Sequence, residues 1–174
     1  MKKTPLFLFT CIILLFTSCS KPASTDDPVT PSNPDNVVNA KVGIKNDPFF
    51  TLAAKASNTV FTQRTDPNGE FVITILGSDS HGTVHITLVN ITSPGTYSLN
   101  TGTTSVYAFC TYEIGNPVSG PFELYSSTST APPSGSVVIT NLSSAGIKGS
   151  FTATCTSSSG VVEINSGSFQ GNFE

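Results

Sequence analysis

From Val37 to the end of the chain, apolar and polar residues alternate with a period of two. The clearest run is Ile147-Lys148-Gly149-Ser150-Phe151-Thr152-Ala153-Thr154-Cys155, five apolar or small residues interleaved with four polar ones. A strand with one buried face requires this pattern, and no helical stripe fits it. It assigns Ile147, Phe151, Ala153 and Cys155 to the inward side. Thr83 to Val89 alternates likewise, with Val84, Ile86 and Leu88 on one face. Phe71–Leu76 and Val106–Tyr112 are more continuously apolar, as expected of strands covered on both sides. Further strands are expected at Val37–Lys45, Phe50–Ser57, Val60–Arg64, Gly95–Leu99, Phe122–Ser126, Ser136–Leu142 and Val161–Phe173.

Between these runs lie strong turn signals, among them Asp66-Pro67-Asn68-Gly69, Ser93-Pro94-Gly95, Gly115-Asn116-Pro117, Pro132-Pro133-Ser134-Gly135 and Ser157-Ser158-Ser159-Gly160. Roughly ten short strands with turns every 8–15 residues predict an all-β, antiparallel domain over residues 37–174. No span is long enough for a parallel crossover helix. Few aromatics and uneven strand lengths favour a β-sandwich, with a closed or partly open β-barrel as the alternative. Near the end the parity changes. Val162 and Ile164 are even-numbered, Phe169 and Phe173 odd, so Asn165-Ser166-Gly167 is expected to host a bulge that re-aims the strand.

Four blocks then occur in order: Gly95-Thr96-Tyr97-Ser98-Leu99, Gly135-Ser136-Val137-Val138-Ile139-Thr140, Ile147-Lys148-Gly149-Ser150-Phe151 and Ile164-Asn165-Ser166-Gly167-Ser168-Phe169. Together they resemble the small uncharacterised lipoprotein domains of Bacteroidetes-type bacteria. That resemblance spans about residues 37–174. It implies an all-β domain at the cell envelope and supplies no catalytic residue.

The amino terminus reads independently. Met1-Lys2-Lys3 is a basic start, and Leu6–Phe16 is apolar except for Thr10. The run matches a signal-peptide core and is too short to cross a bilayer about 30 Å thick as a helix. Phe16-Thr17-Ser18-Cys19 resembles a lipobox, in which the cysteine thiol takes lipid through a thioether and becomes the first mature residue. Cys19 is therefore the expected lipid attachment site and residues 1–18 the removed signal. Two or three acyl chains of the kind such lipoproteins carry anchor a protein stably, where one does not. Ser20 follows, not the Asp that favours inner-membrane retention in well-studied Gram-negative systems. The expected location is the outer membrane, on its periplasmic or its surface face. Residues 19–36 form the lipidated end and a tether with Pro22, Pro28, Pro31 and Pro34 and no aromatic residue. Seventeen residues span roughly 23 Å as a flexible coil and about 50 Å as polyproline II.

Composition narrows function by exclusion. Charged residues are 11% of the 174, Trp is absent and the formal net charge is -3. No basic patch exists for nucleic acid. There is no G-x-S-x-G element, and with 48 Ser and Thr in the chain a single serine says nothing. His81 and His85 would lie about 13 Å apart on one strand, too far to share a metal. If Gly77–Gly82 is a hairpin turn, His81 sits at its tip. Glu70, Glu113, Glu123 and Glu163 all adjoin strands, where alternation alone predicts outward acids. Asp66-Pro67-Asn68-Gly69-Glu70 offers oxygens at alternate positions, as calcium would need, but reads more simply as a turn. No cofactor, metal or enzymatic activity is expected.

Binding is the more plausible activity. Tyr97, Tyr107, Tyr112 and Tyr125 are the candidates for stacking on a ligand, because tyrosine joins an apolar ring to a polar tip; the alternative places these rings, with Phe109 and Phe122, in the core. The leading reading is an envelope lipoprotein carrying a binding or accessory module for glycan, peptide or another envelope protein. Its competitor is a structural lipoprotein with no soluble ligand. Cys110 and Cys155 are the two thiols left after Cys11 departs with the signal and Cys19 takes lipid. In an oxidising compartment they are expected to form a disulfide or to remain two buried thiols. A bridge closing a loop of about 45 residues would stabilise by roughly 4 kcal/mol.

Overall fold

A computed structural model of the chain describes residues 36–44, 48–99, 105–115, 121–129 and 135–174. The signal segment, Cys19 and the tether up to residue 35 lie outside the described residues. Eleven strands follow one another: β1 Val37–Ile44, β2 Phe50–Lys55, β3 Thr59–Thr65, β4 Phe71–Asp79, β5 Gly82–Val89, β6 Gly95–Ser98, β7 Tyr107–Gly115, β8 Phe122–Ser126, β9 Gly135–Leu142, β10 Gly146–Thr156 and β11 Val161–Asn172. Two single turns of 3-10 helix, Ala56–Asn58 and Ser127–Ser129, are the helical pieces among the described residues. Each run expected from alternation is a strand, with ends shifted by up to three residues.

All strand pairs are antiparallel, in the order β2-β1-β11-β10-β8-β7-β5-β4-β3, with β9 on β10 and β6 on β9. The sheet turns back on itself because β10 changes partner along its length. Its residues Ile147–Ala153 pair with β9, whereas Thr156 pairs with Ser126 of β8. Two layers result, β6-β9-β10-β11-β1-β2 and β3-β4-β5-β7-β8. At the far margin the backbone N–H of Glu174 donates to the Phe61 carbonyl of β3 at 3.0 Å. The sheet is nearly closed, and the sandwich and barrel descriptions both fit it.

One core fills the space between the layers. It includes Val38, Leu52, Phe61, Ile73, Ile75, Ile86, Tyr112, Phe151, Ile164 and Phe169. The alternating face of β10 points inward as assigned, with Ile147, Phe151, Ala153 and Cys155 all buried and Lys148 and Thr152 exposed. The parity change in β11 is a bulge. Lys41 pairs with Ser166 and Val42 with Ile164, while on the other side Phe151 pairs with Gly167 and Ala153 with Ile164. Glycines appear where the layers touch most closely: a Cβ on Gly77 would lie 2.4 Å from the Val38 Cβ.

Asp79, at the end of β4, clamps the edge of the facing layer. Its carboxylate accepts the Ala53 N–H of β2 at 3.0 Å and the His81 N–H at 2.8 Å. Burial alone would push its carboxyl up, but these bonds and the His81 ring outweigh it and hold the group below the usual range. The Asp66–Glu70 segment is a turn: the Asp66 carboxylate accepts the N–H groups of Asn68 and Glu70, and Gly69 sits at φ +85°.

Candidate functional site

The two outer surfaces of the molecule differ in chemistry. On the β10-β11-β1-β2 layer the outward residues include Lys148, Ser150, Thr152, Glu163, Ser168, Gln170, Lys41, Thr51 and Lys55, all exposed. This is an ordinary solvated face. On the β3-β4-β5-β7-β8 layer the registers line up four ranks of a different kind. Arg64, Val72, Val89 and Tyr107 form one rank, and Thr62, Thr74, Thr87 and Phe109 the next. Val60, Leu76, His85, Thr111 and Ser126 form the third, and Ser78, Thr83, Glu113 and Leu124 the fourth. Phe122 extends the surface beyond Leu124 on β8.

This corrects the expectation for β4 and β7. Their continuous apolar runs were expected to be covered on both sides; Val72, Leu76, Tyr107 and Phe109 are only half-buried, whereas Thr87 and Val89 on β5 between them are buried. Phe122, Leu124 and Val60 are 43%, 46% and 37% exposed. Phe109 and Phe122 are therefore not core residues. The Tyr107 and Phe109 rings lie nearly parallel, 18° apart with centroids separated by 6.4 Å.

The four candidate tyrosines are not brought to one place. Tyr112 is fully buried in the core, its hydroxyl donating to the His81 carbonyl at 3.0 Å. Burial, with the nearby Asp79 and Tyr125, pushes its phenol up. Tyr125 is its cross-strand neighbour and nearly as buried. Tyr97, on β6, bonds the Ser93 carbonyl at 2.8 Å. Only Tyr107 lies on the apolar outer surface.

The histidines also separate. His81 is at the β4–β5 hairpin and stacks on Phe50 at 4.9 Å. His85 stands in the middle of the apolar surface, its Nε2 3.4 Å from the Thr87 hydroxyl. Burial pushes its imidazole below the ordinary value, and Glu113 nearby offsets part of that. The unfolded chain therefore takes up a proton near pH 6.5 while folded His85 stays neutral, so this group's contribution to stability falls as pH drops below about 6.5. Denaturant melts of His85→Gln should lose that part of the acid slope; an unchanged slope between pH 7 and 5 would assign it elsewhere. The acids do not converge: Glu113 lies on this surface, Glu163 on the other layer, and Glu123 at the junction of β8 and β10.

Cys110 and Cys155 do meet across the core, but as free, fully buried thiols. The expected disulfide is thus replaced by its alternative. The Cys155 thiol lies 3.6 Å from the Cys110 carbonyl, to which it donates. Its hydrogen bond to Cys110, together with burial, pushes the Cys110 thiol well up. Such thiols are inert while folded. Mass spectrometry after alkylation should find both unmodified in the native protein and both modified after unfolding without reductant; a pair that stays unmodified in the unfolded chain would restore the bridge.

What alternation missed was the outward half of β4, β5 and β7. A run such as Phe71-Val72-Ile73-Thr74-Ile75-Leu76 carries the signal, but it cannot say whether its second face meets protein or solvent. Comparison with curated proteins and with solved structures found no match. A family model matches residues 43–171, most of the chain, and the protein belongs to that family, which is described as a domain of unknown function (DUF6252).

Proposed function

We propose that this protein is an outer-membrane lipoprotein of the Bacteroidetes type, anchored through Cys19, whose β domain docks another envelope protein on the apolar surface of β3-β4-β5-β7-β8. The observation that carries the reading is the contrast between the two outer layers. Both are made of the same kind of strand, but the outward residues of one are polar, while on the other Val60, Val72, Leu76, Tyr107, Phe109, Phe122 and Leu124 stand among threonines, serines, Arg64, His85 and Glu113. Five strands about 4.8 Å apart carrying four ranks give a surface of roughly 24 by 20 Å, about 500 Å². The whole face, polar residues included, falls short of the roughly 800 Å² each partner gives to a standard interface, so the association is of the weaker, exchangeable kind. A protein suits the surface better than a glycan. Val60, Val72, Leu76 and Leu124, which offer a sugar neither ring faces nor hydrogen bonds, lie among the rings of Tyr107, Phe109 and Phe122, and aliphatic and aromatic residues mixed in this way with few charges make the core of a protein interface.

Two measurements test it. Metabolic labelling with a fatty-acid analogue should mark the wild type and spare Cys19→Ala; equal labelling of both removes the anchor. A photo-crosslinking residue at Phe109, in intact cells, should trap one discrete envelope protein, and Leu76→Asp in the same chain should abolish the adduct. The same residue at Ser168, on the polar layer, should trap none. Adducts of equal yield from both positions, or only with a second copy of this chain, would overturn the reading.

A further inference from the structure

The apolar surface runs at its β8 margin into a cleft of about 570 Å³ between the β7–β8 hairpin and the β10–β11 turn. It exists because β8 and β10 share a single pair, Ser126 with Thr156, so that β8 diverges from β10 on the Phe122 side. Pro121, Phe122 and Leu124 give it apolar surface, while Glu123, paired across the strands with Ile114, and the hydroxyls of Ser126, Thr156 and the Ser157–Ser159 turn give it polar surface.

Among the described residues, the side chains that bond Glu123 do so through hydroxyl groups. Ser157 donates to its Oε1 at 2.8 Å, and the Ser159 and Tyr125 hydroxyls also bond the carboxylate. These bonds, those of Ser159 and Ser157 foremost, hold its carboxyl below the usual range. Among the described residues no lysine, arginine or histidine lines the cleft and no ion pair to Glu123 occurs. Each serine or tyrosine hydroxyl has one hydrogen, and one given to the carboxylate leaves only acceptor capacity for a ligand. The cleft therefore offers acceptors and one full negative charge beside an exposed aromatic ring. An anion is repelled. A neutral polyol would find donors in the Ser126, Thr156 and Ser158 hydroxyls but would leave the full charge of Glu123 uncompensated. A planar cation, all donors, weakly hydrated and able to stack on a ring, suits all of these at once.

We propose that this cleft is a binding site for a guanidinium group, and that the occupant is an arginine side chain of the protein that docks on the adjoining apolar surface. The partner part of this rests on the docking reading; the site itself does not. Phe122 and Leu124 belong to both surfaces, so a protein seated on the ranks described above would meet the cleft at its rim. One fork of the guanidinium faces the Glu123 carboxylate while its plane lies against the Phe122 ring. The arrangement adds direction to an otherwise smooth apolar contact, because only one edge of the surface carries the charge.

The probe is N-acetyl-arginine methylamide, titrated into the isotope-labelled full chain in detergent and followed by amide chemical shifts. Saturable shifts are expected at Phe122–Ser126 and Thr156–Ser159. Binding should weaken at least fivefold in Glu123→Gln and in Phe122→Ala, and fall as salt is raised. Thr152→Ala, on the polar layer away from the cleft, should leave it unchanged. The neutral isostere N-acetyl-citrulline methylamide and the disaccharide cellobiose should bind at least fivefold more weakly. Equal binding of citrulline or cellobiose, absence of shifts in these two segments, or indifference to Glu123→Gln would each overturn the site. Melting curves of both variants verify folding, which is expected to be unaffected because both side chains border the open cleft. The titration contains no partner, so it fails or succeeds separately from the crosslinking at Phe109. Success here with no Phe109 adduct would overturn the partner's arginine as occupant.

Discussion

Phe151→Ala is expected to lower the unfolding free energy by about 3–5 kcal/mol, the range for deleting a buried aromatic ring. Phe151 is 2% exposed, its ring 6.3 Å from that of Phe169. It also lies over Gly167 on the neighbouring strand, where an added Cβ would sit 2.2 Å from the Phe151 ring. Glycine is thus the partner that makes room for the ring. Gly167→Val should cost about 1–3 kcal/mol by overpacking. In the double variant the added methyls fill part of the space the ring vacates, so its cost should be less than the sum of the two. Lys148→Ala and Thr152→Ala, on the exposed side of the same strand, should stay within about 0.5 kcal/mol. Urea melts of the five proteins provide the check. A ranking with Thr152 above Phe151 would turn the strand inside out, and strict additivity would separate the ring from Gly167.

Phe61→Ala should produce a loss of similar size, about 3–5 kcal/mol, and should open one margin of the fold as well. Phe61 is fully buried on β3, and a Cβ on Gly171 of β11 would approach its ring to 2.4 Å. These two residues meet where β3, one end of the strand order, lies against the end of β11, next to the bond from the Glu174 N–H to the Phe61 carbonyl. Removing the ring takes away the packing that holds this margin. Hydrogen exchange should show lost protection first at Glu174 and the end of β11, before the β4–β5 pair. Uniform loss across all strands would mean that the margin is no weaker than the rest.

Much of the architecture was legible in the chain. Strand period two, punctuated by turns such as Asp66-Pro67-Asn68-Gly69, is a local property, and local sterics and burial enforce it residue by residue. The inward set of β10 and the bulge around Asn165 followed from parity alone. The candidate site was much less legible. Tyr112 and Tyr125 have the composition of a stacking pair, but their parity on β7 and β8 sends them into the core. Glu123 was one acid among four adjoining strands. Its serine cradle comes from a turn more than thirty residues away, which no spacing rule connects to it.

By itself, then, the amino-acid sequence determined the all-β class, the strand positions and which side of β10 is buried, because these depend on the order of neighbours along the chain. Only the tertiary structure decided which strands share an edge, and so whether the second face of β4, β5 and β7 is covered. A half-buried valine and a fully buried one have the same side chain; what differs is the distant strand that does or does not lie over it. The same holds for the cleft at Glu123, which arises from β10 changing partners between β9 and β8. That exchange is settled by closure of the whole sheet, a balance of core packing against strand pairing to which every strand contributes.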